Sequence, residues 1–108
     1  MGDHLGDFEQ LVMLAVMRLD ADAYGTSIRE ELKARAERDV SPGAIFTTLE
    51  RLESRGLVTS RYGEPTAERG GRSKRYYKLT AEGRRAVGRS LRVMRRMLQG
   101  LDPKLERS

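Results

Sequence analysis

Apolar residues recur at helical spacing near the start of the chain, where Phe8, Leu11, Val12, Ala15, Val16 and Leu19 fall on one stripe. With Asp7 as N-cap, this predicts a first helix over residues 7–19. Met13 widens the stripe, so the helix is expected to be buried on more than one side. The triplet Asp20-Ala21-Asp22 reads as an acidic loop. A second helix is expected from Gly25 or Thr26 to Ala36, with Ile28 and Leu32 inward and Arg29, Glu30, Glu31, Lys33 and Arg35 on the other faces. The third helix is the best signposted. Ser41 offers a capping hydroxyl, and Pro42 takes the first helical position, where its missing N–H costs nothing. Ile45, Leu49 and Leu52 then share a stripe, joined by Phe46, and Gly56 supplies the left-handed stop.

After Gly56 the period changes. Residues 57–62 (LVTSRY) are strand formers, and residues 74–79 (KRYYKL) alternate Tyr77 and Leu79 on one face against Tyr76 and Lys78 on the other. The stretch between them carries Pro65, Gly70 and Gly71 and predicts a long turn. Thr80 caps a final helix, which the apolar residues carry to about Leu101, stopped by Gly100 and Pro103. The fold class is therefore mainly α with a small β hairpin, in the order helix, helix, helix, strand, strand, helix. That order is the winged helix-turn-helix. Residues 1–79 form its body, and residues 80–108 a C-terminal helix and short tail.

Composition narrows the options. A chain of 108 residues supports one modest core, and with no Cys it has neither disulfides nor cysteine-based metal sites to reinforce it. Self-association is the remaining support to look for. The apolar run at residues 11–17 is too short to cross a bilayer, and Asp3, Asp7 and Glu9 stand where a signal peptide would be basic, so a cytoplasmic protein is expected. Charge is uneven. Residues 1–60 hold 7 Lys and Arg against 11 Asp and Glu, a balance of −4, whereas residues 61–108 hold 14 against 5, a balance of +9. A polyanion-binding face in the second half produces this asymmetry, and so does a solvated Arg-rich helix.

The third helix and the hairpin carry the candidate chemistry. With Ile45, Leu49 and Leu52 inward, the opposite face is expected to present Ala44, Thr47, Thr48 and Arg51 to a DNA major groove. Thr and Arg can bond base edges or phosphates there. Arg51 has an alternative partner in Glu53 on its own helix, and Glu50 and Glu53 are expected to lie away from the groove. The helix N-terminus at Ser41 offers free N–H groups to a phosphate. Arg69, Arg72, Lys74 and Arg75 cluster around Gly70-Gly71, and a basic tip of this kind fits the phosphates or the minor groove.

Three segments together resemble the PadR family, the regulators named for phenolic acid decarboxylase. They are Tyr24-Gly25, SPGAIFTTLERLESRGLV at residues 41–58 and GGRSKRYYKLTAEGRRAV at residues 70–87. The resemblance implies a homodimeric repressor on a palindromic operator, released by an effector in some members. It also implies backbone contacts from Tyr24 and Ser27, recognition-helix contacts from Thr47, Thr48 and Arg51, and wing contacts from Arg72, Lys74 and Arg75. The family often has Tyr where this chain has Phe46, which removes one phenolic hydroxyl. The chain resembles the short subfamily, with a single C-terminal dimerisation helix.

That helix shows a seam. Val87, Leu91, Met94, Leu98 and Leu101 follow alternating steps of four and three, the pattern of a coiled-coil contact, and Phe8 and Val12 of the first helix are expected to complete a dimer interface. Packing of the same stripe within one chain is the alternative. Residues 80–101 would extend ~33 Å, enough to set two recognition helices about one DNA turn apart, ~34 Å. An effector cavity lined by Met13, Met17, Met94 and Met97 has weak support, because Met at helical spacing is more often plain core. No cofactor and no metal site is expected, and no enzyme, since His4 is the sole histidine and no phosphate loop, HExxH or nucleophile elbow occurs. The competing readings are a protein-interaction module, which would want apolar residues on the hairpin, and an RNA binder, which would want more aromatic rings.

Overall fold

The computed structural model describes residues 4–64 and 73–106. Its elements are α1 (Asp7–Leu19), a 3-10 turn (Asp20–Asp22), α2 (Gly25–Ala36), α3 (Pro42–Ser54), β1 (Val58–Tyr62), β2 (Arg75–Leu79), α4 (Ala81–Leu98) and a short α5 (Asp102–Glu106). This is the winged helix-turn-helix order. Local chemistry accounts for most of the boundaries. Ser41 Oγ accepts from the Ala44 N–H at 3.1 Å and Thr80 Oγ1 from the Gly83 N–H at 3.0 Å, capping α3 and α4. Gly56 holds φ at 75°, the left-handed turn that lets the chain leave α3 and enter β1 at once. The first cap differs from expectation: Gly6, not Asp7, precedes α1, and Glu9 Oε1 accepts the Gly6 N–H at 2.9 Å.

One core joins the three helices to the hairpin. Val12, Met13 and Val16 of α1 meet Ile28 and Leu32 of α2 and Ile45, Leu49 and Leu52 of α3. Val58, Tyr77 and Leu79 close it from the sheet, while Tyr76 is half-buried and Lys78 exposed, the alternation anticipated for β2. The strands pair antiparallel, from Val58 opposite Leu79 to Tyr62 opposite Arg75. β2 has a second neighbour that periodicity did not announce. Tyr24 bridges to Tyr76, and the Tyr77 N–H donates to the Ala23 carbonyl at 2.9 Å, which stitches the entry of α2 to the wing.

Three expectations need correction. Phe46 does not join the buried stripe of α3; it is 53% exposed. The final helix ends at Leu98, and Pro103 lies inside a second short helix, α5. The expected seam also divides. Val87 is buried against the core, as is Val12, so neither is free to meet a partner chain. Leu91 is half-buried at the edge, and Phe8 packs partly buried on the same core. The part of α4 up to Leu91 serves the body, with Gly83, Ala86 and Val87 buried. From Arg92 onward every residue of α4 is exposed. The projection contributes to a radius of gyration of 15.9 Å, where a compact chain of this length has about 13 Å. Among the described residues no helix is long and apolar enough to cross a membrane.

Candidate nucleic-acid interface

At about 100° per residue, α3 divides into three strips. Ile45, Thr48, Leu49 and Leu52 are buried. Gly43, Thr47 and Ser54 point directly away from them and are exposed. Phe46, Glu50 and Glu53 occupy the flank turned to the hairpin, and Ala44 and Arg51 the flank turned to α1. Thr48 was expected on the outer face; it is 4% exposed instead. The reason is angular: it lies only about 60° from Ile45, at the edge of the core stripe. Thr47 keeps the outward position. Arg51 is exposed and approaches Glu9 of α1 rather than Glu53, with 3.9 Å between Nη1 and Oε2. Glu9 is held more tightly by Arg55, at 3.1 Å.

The N-terminus of α2 forms the second wall. Tyr24 is its cap, and Ser27 Oγ accepts the Tyr24 N–H at 3.0 Å and donates to the Asp22 carbonyl at 2.5 Å. The Ser27 hydroxyl is therefore occupied within its own turn. Thr26, which sequence reasoning passed over, is exposed beside it. The Tyr24 ring stands edge-on to Tyr76, with centroids 5.6 Å apart, and Lys74 Nζ lies 4.2 Å from its centre. Between this helix start, the flank of α3 and the hairpin base runs a groove of about 410 Å³, with Thr26, Phe46, Tyr62 and Lys74 among its lining residues. Lys74 is exposed at its rim. Phe46 and Tyr62 are the other residues missed from sequence; no periodicity distinguishes an exposed ring from a core ring.

Arg75 departs from expectation. Rather than reaching outward from the wing, its guanidinium meets Glu53 at 2.8 Å and Glu50 at 3.0 Å on α3, and Ser60 Oγ on β1 at 3.0 Å. Glu50 and Glu53 thus face the hairpin. Partial burial works against the Arg75 charge, but Tyr77, Glu53 and Glu50 more than offset it and hold its pKa above the ordinary arginine value. Tyr77 is pushed up chiefly by burial, with Glu50 and Glu53 adding to the shift and Arg75 opposing it. Arg69 and Arg72, the other expected wing contacts, lie outside the described residues. Among the described residues no group of three or more His, Asp or Glu is placed to hold a metal ion.

A family description for PadR-like transcriptional regulators matches residues 13–89, well over half of the chain. The chain belongs to the PadR-like family of transcriptional regulators. Among curated proteins it is similar to the transcriptional regulator Rv3488 of Mycobacterium tuberculosis, 35% identical over 75 residues. That match takes in 69% of this chain and 65% of Rv3488, so just under two thirds of the relative's length is spanned. Solved PadR-family regulators share the fold. One from Eggerthella lenta is 27% identical with a TM-score of 0.66, over 92% of this chain and 84% of that one. Another, from Clostridium difficile, is 22% identical with a TM-score of 0.71, over 91% of this chain and 98% of that one, a likeness of fold alone.

Proposed function

We propose that this PadR-like regulator is a repressor that binds a palindromic DNA operator as a homodimer. One observation carries the reading. The outward strip of α3, with Thr47 at its centre, is continuous with the α2 start and the Lys74-rimmed groove at the hairpin base. A helix N-terminus, an exposed reading strip and a cationic hairpin on one side of the body are the parts needed to enter a major groove and hold its flanking backbone. In this reading Thr47 and Arg51 face base edges or phosphates. Ser41 and Ala44 bring the α3 N-terminus to a phosphate. Tyr24, Thr26 and Lys74, with Arg69 and Arg72 of the tip, follow the backbone.

Dimerisation supplies the second half-site. Met94, Leu98 and Leu101 are exposed, and Val93, Met97 and Leu105 extend the same apolar surface along α4 and α5. A stripe of this length left in water is costly, and a second copy of the helix covers it. The test is selection of duplexes from a random pool, followed by footprinting. Protection of an inverted repeat, with affinity falling steeply as salt rises, is expected. A monomer at micromolar concentration that ignores duplex DNA in dilute buffer would overturn the reading. A hairpin that docks a partner protein draws support from the exposed Phe46 and Tyr62 rings. It predicts no protected repeat.

A further inference from the structure

Arg75 sits opposite Tyr62 at the start of β2, yet its guanidinium crosses from the hairpin to α3. Nη2 meets Glu53 Oε1 at 2.8 Å, Nη1 meets Glu50 Oε2 at 3.0 Å, and Nε donates to Ser60 Oγ at 3.0 Å. Ser60 Oγ in turn donates to Glu53 at 2.9 Å. The rings of Tyr77 and Tyr62 flank the guanidinium carbon at 5.4 and 5.9 Å. Each nitrogen of the fork thus has a partner inside the chain, and the side chain is only 26% exposed.

The partners matter as much as the geometry. Glu50 and Glu53 lie on the helix that would enter the groove, on the flank facing the basic hairpin. Two carboxylates there repel phosphates within a Debye length, and Arg75 leaves one net negative charge where there would be two. The planar fork also spans two elements, so it sets the angle between wing and helix. Glu50 Oε2 is buried and has this ion pair but no aligned hydrogen-bond donor. Removing Arg75 would take away the counter-charge of that oxygen.

We infer that Arg75 is a positioning residue rather than a phosphate ligand. It clamps the hairpin to α3 and cancels carboxylates that would otherwise turn that helix away from DNA. The consequence for DNA rests on the proposed function; the clamp itself does not.

The experiment is a cycle of R75Q, E50Q/E53Q and all three changes together in the full chain. Each protein is measured on a selected operator duplex, on an unrelated duplex and in unfolding. R75Q should lower operator affinity about tenfold in the native background and less than about twofold in the E50Q/E53Q background, the coupling expected within one ion-pair network. A phosphate ligand would lose the same factor in both backgrounds, and that result overturns the clamp. A merely structural role would leave the ratio of operator to unrelated affinity unchanged, whereas a released hairpin lowers it. R75K keeps the charge without the fork, so it should restore only part of that ratio. If R75Q does not fold, E50Q/E53Q alone decides: the ratio should fall while unrelated duplex binds more tightly, and an unchanged ratio overturns the proposal. If the native protein binds no duplex, the proposed function has failed, and the unfolding cycle judges the clamp. Additive effects there would overturn it.

Discussion

Gly83, in the first turn of α4, lies directly against the Leu57 backbone where α3 gives way to β1. A Cβ at position 83 would overlap the Leu57 carbonyl oxygen and come within 3.0 Å of the carbonyl carbon and 3.3 Å of Met13 Cε. Around it the Thr80 N–H donates to Leu57 O at 3.0 Å and the Thr80 hydroxyl to Gly56 O at 2.7 Å. The start of α4 is thereby fixed to the turn that launches the hairpin. Gly83→Ala must push a helix off a backbone, not a flexible side chain, so it should destabilise by about 1–3 kcal/mol despite the better helix propensity of Ala. Urea unfolding checks this; an unchanged midpoint would mean the two segments are not in contact.

Adjacent threonines on α3 should behave in opposite ways. Thr47 is exposed on the outward strip, and Thr48 is 4% exposed within the core. Thr47→Ala should weaken operator binding by about 1–3 kcal/mol, the scale of one base contact, and leave thermal unfolding in place. Thr48→Ala should destabilise by about 1 kcal/mol or more through lost packing, and affect DNA only in proportion to unfolding. Binding and melting curves on both variants decide it, and equal loss of affinity at constant stability would restore both threonines to the groove.

Much of the fold was readable because its signals are local. Ser41-Pro42, Gly56 and Thr80 each announce a boundary through their own chemistry, and the switch from period 3.6 to period 2 at Leu57 needs no tertiary knowledge. The site was less legible. Thr48 lies close enough to the Ile45 stripe that pattern alone cannot say which side it joins. Arg75 looks like any other basic residue of the wing until the hairpin folds back and brings it to Glu50 and Glu53. Val87 satisfies the seam spacing and the core equally well, and burial settled the choice because α4 begins by packing on α1. The Tyr24–Tyr76 bridge involves one residue on each side, too short for any period.

Tyr77 gives the fold a pH dependence on the alkaline side. Burial, reinforced by Glu50 and Glu53, raises its pKa above the ordinary value of 10.0. The folded chain therefore holds this proton more tightly than the unfolded chain. The associated stability is fully present below the unfolded pKa and is lost as pH rises through the folded one. Unfolding free energy should decline above about pH 10, and Tyr77→Phe should flatten that decline. A variant with the same alkaline slope as the native protein would show that Tyr77 ionises as freely folded as unfolded.

The division of α4 into a buried and a projecting part makes the proposed dimer separable from the fold. Met97 is 70% exposed, whereas Val87 is 2% exposed in the core. Met97→Glu places a charge on the apolar stripe without touching the body, so the chain should remain folded while sedimentation shifts to the monomer. Losing the second half-site should then cost about 100-fold or more in affinity for an inverted repeat, because the two heads no longer raise each other's effective concentration. A single half-site should bind as before. Val87→Glu buries the same charge where nothing can pair with it, and the body should unfold instead. A Met97→Glu protein that sediments like the native chain would place the self-association surface elsewhere, and the exposed stripe of α4 would then need another partner.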